Sequence, residues 1–168
     1  AAQNNTAKLG FSDRFALHTG ELADTRFLEN LRMEASPVQL VMANPPWRLV
    51  GSGRLPATEA RRKALFGDKG TFPLFASAAS SLLEEDGRFA CIISPDRLQD
   101  MLAALNGAGL TPYLLQYIHK QKTSPATFVL IEARKGAHAK PSVAEPIALY
   151  GPERFFTLES LAFCPFLR

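Results

Sequence analysis

The chain reads as an α/β protein whose sheet is mostly parallel and carries an antiparallel hairpin near its C-terminal end. Three observations predict this. Strand-like apolar runs, VQLVMA (38–43) and GRFACIISP (87–95), each follow a segment with helical spacing. VQLVMA is mostly apolar rather than alternating, as expected of a strand covered on both faces. TPYLLQYIHKQ and ATFVLIEARK are two strand patterns separated by a short turn with Ser124-Pro125, which predicts a hairpin.

Taken in order, AAQNNTAKLG reads as the last turns of a helix, with Gly10 where a left-handed C-terminal cap belongs. DRFALHTGEL (13–22) has a strand core over 14–18, ended by Gly20. In DTRFLENLRMEAS, Phe27, Leu28, Leu31 and Met33 recur at helical spacing behind Asp24 or Thr25 as the cap. After VQLVMA, a Gly/Pro/Arg loop runs from Pro45 to about Leu55 and leads into the basic stretch EARRKAL. FPLFASAASSLLEED (72–86) is the strongest helix pattern, and Gly87 is expected to end it. RLQDMLAALNGAG predicts an amphipathic helix that stops at Gly107 or Gly109. A linker, GAHAKPSVAEP, precedes a last strand, IALYG, and a short tail, FFTLESLAFCPF.

A length of 168 residues suits one domain with a real core. With 46% hydrophobic and 21% charged residues the composition is globular rather than disordered. No apolar run approaches the ~20 residues of a membrane-spanning helix, and no signal peptide opens the chain. The expectation is a cytoplasmic protein with no membrane partner. Cys91 and Cys164 are too few for a disulfide framework, and Cys91, inside FACIIS, predicts a buried thiol. His18, His119 and His138 are scattered, so no metal site is expected. A net charge of +3 permits an acidic partner such as nucleic acid without demanding one.

The stretch that carries chemistry is Asn44-Pro45-Pro46-Trp47, at the carboxyl end of VQLVMA. In α/β sheets ligands bind beyond the carboxyl ends of the strands. Two consecutive prolines make a stiff, extended loop, and Pro45 has no N–H, so the loop offers acceptors: backbone carbonyls and the Asn44 amide oxygen. Two acceptors at fixed spacing suit a planar amino group, which presents two N–H donors, and the Trp47 ring can stack on the flat system bearing it. The plainer alternative is a strand-terminating turn with a tryptophan covering the edge of the core.

On these residues the sequence resembles the class I S-adenosylmethionine-dependent methyltransferases that modify amino groups, whose fourth motif is Asn-Pro-Pro followed by an aromatic residue. Over QNNTAKLGFSDRF, HTGELAD, NPPW, EARRKA, SLLEEDGRFACIISPDRL, SPATFVLIEARKG and LYGPERFFTLES it is similar to the bacterial family that methylates N6 of an adenine beside the anticodon of a valine tRNA. Glutamine methyltransferases of release factors and guanine-N2 rRNA methyltransferases share the motif. The resemblance implies a Rossmann-like methyltransferase sheet and S-adenosylmethionine as cofactor. It implies that Asn44 and the Pro45 carbonyl hold the target amine and that Trp47 stacks on the base. Glu21 and Leu22, in HTGELAD, and Asn44 fall where that family contacts its cofactor; the plainer reading of Glu21 is an exposed carboxylate. The family's glycine-rich first motif has no counterpart in the chain, and Gly51-Ser52-Gly53 follows no strand. The expectation is therefore that residues 1–168 are the C-terminal part of a single methyltransferase domain, lacking its first two strands, and that this part binds the cofactor poorly or not at all and is inactive alone. VQLVMA would then expose an apolar edge open to self-association. A non-catalytic module that binds RNA or a partner chain is the alternative from outside the enzymes.

Arg48, Arg54, Arg61, Arg62 and Lys63 flank the motif and are candidates for holding tRNA phosphates, or else form a solvated face. Lys120 and Lys122 extend that surface or are turn residues. Phe155, Phe156, Phe163 and Phe166 are expected to cover the core, and His119 to be a strand residue without a catalytic role.

Overall fold

The fold is described from a computed structural model over residues 2–49, 58–59, 65–136, 140–153 and 155–164. Helix α1 (Ala2–Lys8) ends at Gly10, which takes the predicted left-handed conformation at φ 71°. Helix α2 (Thr25–Ala35) is capped by Asp24, whose carboxylate accepts from the Arg26 and Phe27 amides. Between them no strand forms. Residues Ser12–Arg14 make a 3-10 turn, and 15–20 carry no regular structure. This corrects the expected strand over 14–18. Strands exist only as paired elements, and among the described residues no strand pairs with this segment, so Phe15 and Leu17 stay exposed.

The main sheet runs β1 (Val38–Ala43), β4 (Leu83–Ile93), β6 (Ala126–Lys135), β5 (Leu110–His119). Two short strands, β7 (Ser142–Val143) and β8 (Ile147–Ala148), lie along the far edge of β5. Parallel pairs are β1 with β4, β5 with β7 and β5 with β8; β6 is antiparallel to both neighbours and forms the predicted hairpin with β5. Its turn is closed by mutual hydrogen bonds between Gln121 and Ser124. His119 Nδ1 lies 2.7 Å from the Ser124 carbonyl. A carbonyl only accepts, so this nitrogen carries the proton, in keeping with a structural histidine. A second, two-stranded parallel ladder joins β2 (Arg48–Leu49) to β3 (Phe66–Gly67).

Helices α3 (Thr71–Leu82) and α4 (Leu98–Gly107) cover one face of the sheet. Period-two alternation sends Phe89, Cys91 and Ile93 of β4 and Val129, Ile131 and Ala133 of β6 to that face, where they pack against Phe72, Ala76, Ala79, Met101 and Leu105. The alanines of α3 let the helix sit close to the strands. The opposite face, with Ala90, Ile92, Leu114 and Leu130, is met by α5 (Leu158–Phe163), which is formed by the segment expected as a tail and is capped by Thr157.

Three further expectations are corrected by the structure. Helix α3 ends at Leu82 rather than running to Asp86: Asp86 is left-handed at φ 61°, and the polar Glu84-Glu85-Asp86-Gly87 segment turns the chain back as the start of β4. Strand β1 is half-buried on one face, through Val38, Val41 and Ala43, and not covered on both. Among the described residues its outer edge is unpaired, and Met42 on the second face is 75% exposed. The last strand is likewise shorter than IALYG.

Cys91 is buried, and desolvation pushes its thiol from an ordinary 9.0 up to about 12. With the folded value above the unfolded one, this contribution to stability is intact below pH 9.0 and is lost as pH rises towards 12. The thiolate is the reactive form, so the native protein should expose one reactive thiol to a disulfide reagent at pH 8, the half-buried Cys164, and two after denaturation. Two fast-reacting thiols in the native state would contradict this packing.

Candidate functional site

Because β1, β4 and β5 run in one direction, their carboxyl ends open on one rim of the sheet, together with the amino end of β6. Asn44-Pro45-Pro46-Trp47 leaves β1 on that rim. Pro45 is buried under the loop and fixes its base, Pro46 and Trp47 are half-buried, and Asn44 is exposed. Two further contacts hold the loop. Gly67, at the end of β3, lies so close to the Pro46 carbonyl that a Cβ there would come within 2.4 Å of it and within 2.9 Å of Thr71 Oγ1. Arg97, in the 3-10 turn after β4, donates from Nη1 to the Trp47 carbonyl at 2.9 Å. Its Nε reaches Asp100 at 2.8 Å, and its guanidinium lies 4.5 Å over the Phe72 ring. At 4% exposure Arg97 is a buried cation, with its charge answered by a carboxylate, a carbonyl and an aromatic face.

The loop's acceptors are therefore divided. The Pro46 carbonyl is packed against Gly67 and the Trp47 carbonyl is taken by Arg97. Among the described residues no hydrogen bond reaches the Asn44 side chain or the Pro45 carbonyl. The Trp47 ring meets Phe128, at the start of β6, edge-on (centroids 6.2 Å apart, interplanar angle 73°). The exposed Arg48 guanidinium lies 5.4 Å from the Trp47 ring centroid. A flat ligand stacking on that face would displace Arg48, at a cost of about 0.5–1 kcal/mol for an exposed cation–π pair.

Asn44 also lines a cleft of about 530 Å3 on the sheet face opposite α3 and α4, with Met42, Ala90, Ile92, Leu130 and Phe163. Glu132 in this cleft is paired with Arg88 at 3.2 Å. Of the remaining candidates, Glu21 is exposed, while Leu22 lines a different cleft, between α2 and α3. Leu22 and Asn44 are thus not brought into one cavity. Arg54, Arg61, Arg62, Lys63 and Phe166 lie outside the described residues. The glycines between β3 and α3, Gly67 and Gly70, do not form a nucleotide cradle, because Asp68 occupies that turn, accepting from the Gly70 amide and Thr71 Oγ1. The cleft that begins at Asn44 is mostly apolar. The described residues do not close a pocket around the nucleoside of S-adenosylmethionine. No metal-ligand cluster occurs among the described residues.

Arg97, Gly67 and Phe128 carry no motif that singles them out in the sequence. Arg97 lies 50 residues from Trp47, and only SPDRL, directly after a buried strand, hints that a charged residue stands at this rim. Gly67→Ala should cost about 1–3 kcal/mol, because its new methyl group meets backbone that cannot give way. A urea melt measures this, and unchanged stability would show that the loop is not seated on Gly67.

No protein-family model and no curated protein sequence matches the chain. Among solved structures it is similar to a predicted O-methyltransferase from Agrobacterium tumefaciens, with 20% identity and a TM-score of 0.68. That match covers 99% of this chain and 68% of the other. Weaker likenesses are the M1.HpyAVI–SAM complex (11% identity, TM-score 0.42, covering 75% of this chain and 62% of that one) and the type I restriction enzyme EcoKI M protein (16%, 0.44, 81% and 31%). The first likeness bears out the fold: a Rossmann-like α/β sheet, mostly parallel, with an antiparallel C-terminal hairpin.

Proposed function

We propose that the chain is part of an S-adenosylmethionine-dependent N-methyltransferase acting on adenine N6 of tRNA. One observation carries this reading. In a loop whose other carbonyls are held by Gly67 and Arg97, the Asn44 side chain and the Pro45 carbonyl are left without partners among the described residues. A planar amine donates a hydrogen bond from each N–H to two such acceptors. That raises electron density on nitrogen and leaves its lone pair, which lies across the amine plane, open to the methyl donor. S-adenosylmethionine supplies an electrophilic methyl group. Asn44 orients the amine and borders the cleft at the reacting end, and Glu21 and Leu22 are the other candidates for holding the cofactor. Trp47, fixed edge-on by Phe128, offers a ring face to the base once Arg48 swings aside. Arg48, with Arg54, Arg61, Arg62 and Lys63, would hold phosphates, so affinity for tRNA should fall steeply with salt.

A glutamine amide or guanine N2 presents the same two donors. Labelled methyl transfer with tRNA and a glutamine-bearing release factor in competition separates them: label should enter tRNA, and label in the release factor would overturn the tRNA assignment. A second reading, a non-catalytic module that binds RNA or another chain, draws on the unpaired edge of β1 and its exposed Met42 and Leu40. Under that reading RNA binds, no methyl group is ever transferred, and the protein self-associates in sedimentation.

A further inference from the structure

The rim that carries the Asn44 loop continues across the sheet to the ends of β5 and β8. From β1 the order is β4, β6, β5, β8, so four strand spacings of about 4.8 Å put the far end ~19 Å across the sheet from Asn44. The register sets Asn44 level with Gln116, so the turn at Lys120 also stands ~13 Å farther along the strands, and the whole is a span of a few nucleotides. There the hairpin turn and the loop after β8 are bound into one surface. The Tyr150 amide donates to the Lys120 carbonyl at 2.8 Å, Gln121 Nε2 donates to the Gly151 carbonyl at 3.3 Å, and the Gly151 amide donates to the Phe155 carbonyl at 2.9 Å. The Tyr150 and Phe156 rings stack at 5.0 Å with an interplanar angle of 26°. A cavity of about 540 Å3 opens here, lined by Lys120, Gln121, Ser124 and Tyr150. Phe155, expected to cover the core, is instead 74% exposed, and Lys120 and Lys122 are exposed too. Among the described residues no carboxylate pairs with either lysine.

A rigid turn that presents ammonium groups beside aromatic rings has the chemistry to bind unpaired nucleotides: the cations take phosphates and the rings take base faces. We propose that this shelf is a second contact surface for the RNA substrate, holding single-stranded nucleotides that flank the target adenine. Lys120 and Lys122 meet phosphates, and Phe155 stacks on a base beside the fixed Tyr150–Phe156 pair. The proposal rests on reading the Asn44 loop as acting on RNA and adds where the rest of that RNA lies.

The test is fluorescence anisotropy of a labelled RNA stem–loop with an unpaired adenine, titrated with the purified protein, the Lys120→Ala/Lys122→Ala double variant and Phe155→Ala. All three side chains are exposed, and melting curves confirm that each variant is folded. Phe155→Ala should weaken binding about tenfold with an unchanged salt slope, as loss of one stacked base does. The double variant should weaken it at low salt and reduce the slope of log affinity against log salt by about 1.4, two phosphates' worth on a single strand. Wild-type affinity and slope in both variants would overturn the shelf, as would a Phe155→Ala variant that binds normally. Asn44→Ala separates the two readings. If it abolishes methyl transfer to tRNA while the shelf variants bind normally, the catalytic reading stands and the shelf falls. If the wild-type protein binds no stem–loop and methylates a glutamine instead, both fall.

Discussion

Asn44→Ala is expected to abolish methyl transfer and leave the protein folded. Asn44 is exposed and its side chain makes no hydrogen bond among the described residues, so its truncation should change stability by no more than about 0.5 kcal/mol. Removing one of two acceptors from the amine should cost about 100- to 1,000-fold in rate, the scale on which one preorganised polar group acts. Asn44→Asp refines the test: its carboxylate still accepts but cannot donate, so measurable activity should survive if acceptance is what the residue contributes. An aspartate variant as inactive as the alanine variant would place the requirement on the amide N–H instead.

Arg97→Ala is expected to have the largest effect on stability and to lower activity through the loop. The change removes a charge-assisted hydrogen bond to the Trp47 carbonyl, a pair with Asp100, and the packing of a nearly fully buried side chain on Phe72. Together these suggest a loss of about 2–4 kcal/mol. A chain of this size should melt roughly 5–15 °C lower. Arg97→Lys keeps the charge but not the planar fork that serves two partners, and should recover only part of the loss. A readout specific to the loop is built into the protein. Trp47 is the only tryptophan, so its fluorescence reports the loop without interference. In Arg97→Ala the emission should shift to the red at temperatures where circular dichroism is still native. An unshifted spectrum alongside lost activity would show that Arg97 acts elsewhere.

The rim carries the sequence's clearest chemical signal because that signal is local. Proline geometry and the position of Asn44 after an apolar run are properties of a few adjacent residues. What seats the loop is not local. Arg97 and Gly67 reach it only once β4 and β3 are in place, so an arginine and a glycine of no special spacing become its anchors. The same distinction explains the missed strand. Residues 14–18 have strand composition, but pairing is decided by a neighbour, and none is present among the described residues. For VQLVMA, an apolar run signals burial that the rest of the chain must supply, and here only α3's side supplies it. The end of α3 was hidden because Glu84 and Glu85 are good helix formers. The left-handed Asp86 that turns the chain follows from tertiary closure onto β1, through the pairing of Val38 with Leu83 and of Leu40 with Arg88. The hairpin, by contrast, was readable throughout, since its two strands are adjacent in sequence and pair with each other.

The central claim, that the Asn44 loop presents an adenine amine for methylation, is tested most directly by identifying the product. tRNA incubated with the whole protein of which this chain is part, and with S-adenosylmethionine carrying a labelled methyl group, is digested to nucleosides and separated by mass. Label is expected in N6-methyladenosine and nowhere else, and is expected to be lost with Asn44→Ala. Label in N2-methylguanosine, or none in RNA while a protein glutamine is labelled, would contradict it.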